Sequence, residues 1–182
     1  MSKAIGMVEY QSVSTGVQAA DLMLKTSEVE IIEAQTVCPG KYIVLISGDL
    51  SAVKASVDAS RKMFERGLID SFVLGNPHES IFPAIYGAAN VGKVNALGVL
   101  ETFDASAIIV AADVAAKTAI VDLIELRIAR GMCGKSYMFI TGEVAAVTAA
   151  IEKARAKVGE NGMFLNSSVI PSPDEKLWSS IL

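Results

Sequence analysis

The chain has 182 residues and a net charge of −4, with its Lys and Arg scattered along the sequence. Nucleic acid is not an expected partner, since binding phosphate takes a basic stripe. A membrane is not expected either, because no run approaches the roughly 18 apolar residues needed to span a bilayer. The opening Met1-Ser2-Lys3-Ala4-Ile5-Gly6 has no apolar signal-peptide core. Two cysteines make no disulfide framework, so a cytoplasmic setting is expected. Hydrophobic residues reach 52% and the mean hydropathy is +0.45. Without a membrane segment, that composition implies surface buried against other subunits.

In chain order, residues 5–9 read as a short strand. Residues 16–25 read as a helix with Val17, Ala20 and Leu24 on one face. Two apolar runs, 30–37 and 42–46, form a hairpin around Cys38-Pro39-Gly40-Lys41. Pro-Gly suits the central positions of a type II turn, which places Cys38 first, at a rigid tip. Gly48-Asp49 precedes a helix for which Ser51 is the expected cap. A strand over 71–74 then runs into Asn76-Pro77-His78 and a short helix over 80–85.

The same order then repeats. Ala4-Ile5-Gly6-Met7-Val8-Glu9 returns as Ala96-Leu97-Gly98-Val99-Leu100-Glu101, and Asp21 and Lys25 return as Asp113 and Lys117. After a two-residue insertion, Gly40-Lys41 matches Gly134-Lys135, Gly48-Asp49 matches Gly142-Glu143, and Pro77 matches Pro171. In the second copy, Glu125-Leu126-Arg127-Ile128 alternates as a strand. Val147, Ala150, Ile151, Ala154 and Val158 form a helical stripe. The reading is two tandem domains, 1–92 and 93–182. Each is α+β with the ferredoxin-like pattern β-α-β-β-α-β plus a terminal helix.

Catalytic equipment is sparse. His78 is the one histidine, and neither a glycine-rich nucleotide fingerprint nor a Walker lysine is present. Asp21 and Asp113 each precede a lysine by four residues, which an i,i+4 ion pair explains. Glu9 and Glu101 end equivalent strands and read as structural. No enzyme is expected.

Four motifs together resemble the bacterial microcompartment shell family: Ala-Ile-Gly-x-Val-Glu, Asp-x-x-x-Lys on the first helix, Pro-Gly-Lys in the hairpin turn, and Gly-Asp after the third strand. The doubled domain resembles the tandem, trimeric branch. This resemblance implies a homotrimer whose six domains form a pseudohexameric disc. Such discs pack edge to edge with other shell proteins in the cytoplasm, around enclosed enzymes that include a possible redox partner. It also implies that the hairpin turns line a central pore, which assigns Pro39, Gly40, Lys41, Met132, Cys133, Gly134 and Lys135 there. The resemblance likewise implies that Lys25, Lys117, Asn76, Pro77, His78 and Pro171 fall at the disc edge.

A closed trimer brings three copies of any axial residue together. Three thiols favour a soft metal or a cluster over disulfides, and the resemblance implies a [4Fe–4S] cluster held by Cys38 from three subunits. Fe–S clusters normally take four cysteines, so such a site would be open and labile. Zinc with three sulfurs is the alternative metal. Cys133 falls opposite Pro39, and Met132 opposite Cys38, so the second turn is out of register by one residue. The expected role is electron transfer or cluster delivery across the shell. Competing readings are a metal-free pore that passes metabolites, and a trimeric ligand-sensing regulator.

Overall fold

The computed structural model describes residues 4–92 and 94–181. Met1, Ser2, Lys3 and Leu182 lie outside the described residues, as does Lys93 at the expected junction. The first half runs β1 (Ala4–Tyr10), α1 (Val13–Thr26), β2 (Val29–Val37), β3 (Lys41–Gly48), α2 (Leu50–Met63), β4 (Leu68–Leu74) and α3 (Ile81–Ile85), with a 3₁₀ turn at Glu65–Gly67. The second runs β5 (Ala96–Thr102), α4 (Ala105–Thr118), β6 (Asp122–Arg127), β7 (Ser136–Gly142), α5 (Val144–Gly159), β8 (Phe164–Ile170) and α6 (Glu175–Ile181). Each half contains one antiparallel sheet, in the orders β2-β3-β1-β4 and β6-β7-β5-β8. These orders are what the β-α-β-β-α-β pattern gives.

Helix packing in each half turns on a glycine in the first strand. A Cβ on Gly6 would lie 2.6 Å from Val53 and 2.8 Å from Val57. A Cβ on Gly98 would lie 2.7 Å from both Ile140 and Val147. The long helix therefore settles directly onto the strand backbone, and a methyl group there would force it away. The buried residues of α5 are Val147, Ala150, Ile151, Ala154 and Val158, the stripe expected from the sequence.

Three local expectations need correction. The buried face of α1 is Gly16, Ala19, Ala20 and Met23, while Val17 and Leu24 are exposed. Small residues take the inner face because Gly16 sits against the Tyr42 ring, where a Cβ would lie 2.3 Å from the ring carbon Cδ1. Helix α2 is capped at Asp49, not Ser51. The Asp49 carbonyl accepts from Val53 N–H at 2.9 Å, so the helix starts two residues earlier. Strand β6 ends at Arg127, and the buried Ile128 begins the loop.

The chain divides into two compact units, Met1–Pro77 and His78–Leu182. Helix α3 belongs to the second unit, where it packs on β6 and α4. In the first unit, the core between helices and sheet includes Val8, Tyr10, Met23, Val44, Ile46, Val53 and Val57. In the second, Leu97, Ile124 and Trp178 form a cluster that Val99, Phe139, Ile170 and Ile181 extend.

Candidate functional site

The first hairpin turn is built by residues 37–40. Gly40 N–H donates to the Val37 carbonyl at 3.0 Å. Val37 is therefore the first turn position and Cys38 the second, one place later than expected. The Cys38–Pro39 peptide is cis, which makes this a type VI turn and not type II. Gly40 follows at φ +89°, a conformation that favours glycine. Cys38 is a free, half-buried thiol at this tip, with Pro39 and Gly40 exposed beside it.

Lys41 leaves the turn on β3, and its ammonium turns back to form an ion pair with Glu9 on β1. The Glu9 side chain is only 3% exposed, and that of Lys41 is 23%. Glu9 sits directly opposite Asp70 in the β1–β4 register. Asp70 Oδ1 accepts from Ser71 N–H at 2.7 Å, while its buried Oδ2 accepts no hydrogen bond.

The second hairpin is longer and differently closed. Lys135 N–H donates to the Met132 carbonyl at 3.1 Å, with Cys133 at φ +54° and Gly134 at φ +89° between them. Two central residues with positive φ define a type I′ turn. Cys133 is exposed and free, Lys135 is exposed, and Met132 is half-buried. The loop before it is anchored by Ala129 N–H, which donates to the buried Ser136 Oγ at 3.0 Å.

The two Asp-Lys pairs also form, in different settings. Lys25 and Asp21 meet at 2.6 Å with both side chains well exposed, 72% and 61%. Lys117 and Asp113 meet at 2.7 Å, but Asp113 is only 9% exposed. Its other oxygen accepts the backbone N–H of His78 at 2.8 Å. The His78 ring is engaged locally, its Nδ1 accepting from Ser80 N–H at 3.3 Å and lying 2.8 Å from Ser80 Oγ. Asn76 is exposed and takes a positive φ of 53°, Pro77 is half-buried, and Pro171 is exposed just after β8.

Sequence reasoning missed one charged cluster. Glu125 and Arg127, two apart on β6, share a sheet face and pair with each other. Tyr137, directly across from Arg127, donates its hydroxyl to Glu125 Oε2 at 3.0 Å and lies under the guanidinium. Burial, and then the Glu125 carboxylate, push the Tyr137 phenol up, and the hydrogen bond to Glu125 raises Arg127. The i,i+2 acid–base spacing on a strand was the available signal. The cluster borders a recess of about 230 Å³, but its charges are already engaged by one another.

Among the described residues, no three His, Cys, Asp or Glu side chains form a metal-holding group within one chain. No helix among them is long and apolar enough to cross a membrane.

Comparison with known proteins gives a consistent result. The BMC domain matches residues 4–77 and again 96–173. The chain is 39% identical to the bacterial microcompartment shell protein PduT of Citrobacter freundii over 182 residues, all of this chain and 99% of that protein. About half of it, 51%, matches the carboxysome shell protein CsoS1 of Prochlorococcus marinus at 35% identity, covering 93% of that protein. A crystal structure of a microcompartment protein from Desulfitobacterium hafniense superimposes with a TM-score of 0.94 at 45% identity, covering 98% of this chain and 99% of the other. A fused permuted hexameric shell protein of the RMM microcompartment shares the fold at a TM-score of 0.66 and 23% identity, covering 87% of this chain and 84% of the other.

Proposed function

This chain belongs to the BMC-domain family and is a structural shell protein of a bacterial microcompartment, and on that premise we propose a non-enzymatic homotrimer with a metal site at its centre. Its two domain copies, 1–92 and 93–182, act as two tiles of a six-tile disc. Lys25, Lys117, Asn76, Pro77, His78 and Pro171 lie at the edges, where other shell proteins pack. The hairpin turns converge on the axis, and Cys38 from three subunits binds a [4Fe–4S] cluster. The role is electron transfer or cluster delivery across the shell, with an enclosed redox enzyme as the partner.

The observation that carries this reading is the placement of Cys38, a free and half-buried thiol at the tip of a tight turn. The donor chemistry fits, since thiolate is a soft ligand suited to iron and its clusters. One chain assembles no three-ligand group among its described residues, so the further donors come from the same residue of other copies. When bound, the cluster supplies a one-electron redox centre. The chain's own part is to hold the thiol on a short turn between two hydrogen-bonded strands, with Lys41 drawn away toward Glu9.

The test is iron and acid-labile sulfide per trimer in anaerobically purified protein. About four of each are expected in wild type, and background levels in Cys38→Ser. Iron-free wild type, or a Cys38→Ser variant that keeps its iron, would overturn the cluster. The exposed Lys135 and Cys133 favour a second reading, a metal-free pore that passes small metabolites. The same iron measurement decides between the two.

A further inference from the structure

The two copies treat the lysine of the hairpin turn in opposite ways. Lys41 folds back onto a nearly fully buried Glu9, whereas Lys135 is exposed. The strand registers supply a cause. Glu9 lies directly across from Asp70, so two carboxylates face each other on neighbouring strands. Like charges placed this way are unfavourable, and a buried carboxylate needs a cation close by. In the second copy, Glu101 lies across from Asn166. An amide imposes no such demand, and Lys135 remains outside.

We propose that Glu9 is a positioning residue that sequesters the Lys41 ammonium, so that the first turn presents a thiol without a cation while the second turn presents the cation. The trimeric reading of the protein underlies one consequence. Three, not six, lysine charges would face the central opening, and they would come from the turns that lack Cys38. Glu9 and Asp70 together set that distribution: Glu9 by direct contact with Lys41, and Asp70 by making the contact necessary.

The experiment is site-resolved lysine acylation of the intact protein, read by mass spectrometry after brief exposure to an amine-reactive ester. In wild type, Lys135 should react at least about fivefold faster than Lys41, the ratio that an ion pair near 1 kcal/mol sustains. In Glu9→Gln, the rate at Lys41 should rise to match Lys135, while Lys135 stays unchanged. Equal rates in wild type, or no change at Lys41 in Glu9→Gln, would overturn the proposal.

If Glu9→Gln does not fold, the double variant Glu9→Gln/Lys41→Met should, because it removes the half-buried ammonium that Glu9 pairs with. A double variant that unfolds as readily as the single also overturns the idea. Iron content and oligomeric state are measured on the same sample, so that the two readings fail separately. A monomeric wild type would remove the trimeric reading and an iron-free one only the cluster, while the Glu9–Lys41 contact is judged by the change at Lys41 in Glu9→Gln.

Discussion

The two hairpin turns occupy equivalent places in the repeat and are built by different means. Residues 37–40 close with a cis proline and bring Cys38 to the second turn position. Residues 132–135 close with two positive-φ residues, after a longer loop whose Ala129 is tied to Ser136. The flanking strands keep equivalent partners, Glu9 opposite Ile43 in one sheet and Glu101 opposite Tyr137 in the other. Duplication has thus preserved the sheet and left the tip free to change. A hairpin tip makes few contacts that the core depends on, so chemistry can diverge there at small cost in stability.

The largest expected effect separates the two cysteines. Cys38→Ser should abolish iron retention. Cys133→Ala should leave iron per trimer unchanged, because its turn displays the side chain from a different position. A loss of half or more of the iron in Cys133→Ala would break the division between the turns and make both sets of thiols part of the site.

Next in size is a contrast between the helical aspartates. Asp113 is nearly buried and serves both Lys117 and the His78 N–H. Asp113→Ala strands that donor and should cost about 2 kcal/mol, in the range for hydrogen bonds to charged groups. For a chain of this size that is a drop in Tm of roughly 4–8 °C. Asp113→Asn, which keeps an acceptor for His78, should recover part of the loss. Equal melting of Asp113→Ala and wild type would show that the second copy's pair is as dispensable as an exposed one.

Much of this architecture was legible in the sequence. Repetition, with one two-residue insertion between the copies, gave two domains, and the alternation of strands and helices gave their order. The α5 stripe matched its buried face residue for residue. The inner face of α1 is set by volume as well as hydrophobicity: Gly16 faces inward where a side chain would meet the Tyr42 ring. The turn was misread because Pro-Gly also fits a turn shifted by one residue, and peptide isomerism leaves no mark in composition. The Glu9–Lys41 pair and its contrast with Lys135 depend on cross-strand register, which fixes Glu9 opposite Asp70. Register is invisible until the strands are paired.

Tyr10 sharpens the comparison inside the core. Its hydroxyl lies 2.7 Å from Ser60 Oγ and donates to the Ser60 carbonyl at 3.0 Å, in a fully buried setting. The second copy has Thr102 in this place, bonded instead to the Asp104 carbonyl at 2.8 Å. Tyr10→Phe should cost about 1 kcal/mol by loss of that bond. Burial raises the Tyr10 phenol above its ordinary value, and burial also raises Tyr137. A raised folded value favours the neutral phenol, so its contribution is fully present below the ordinary phenol range near pH 10. It is lost as pH climbs through the higher folded value. Denaturation followed from pH 8 to 12 should show wild type losing stability above pH 10 more steeply than Tyr10→Phe. Parallel curves would mean that Tyr10 does not couple folding to pH.

The smallest effect belongs to the exposed helical pair of the first copy. Lys25 and Asp21 are both well over half exposed, so water and ions screen their attraction. Asp21→Ala should cost only about 0.3–0.5 kcal/mol, the usual range for an exposed i,i+4 pair. Half a molar salt should erase most of that difference, whereas the cost of Asp113→Ala should persist, because its backbone hydrogen bond to His78 does not depend on mobile ions. Urea denaturation of both variants at low and high salt measures this directly. A salt-insensitive loss in Asp21→Ala comparable to that in Asp113→Ala would mean that the first copy's aspartate is held by something other than Lys25, and the contrast between the two helices would fall.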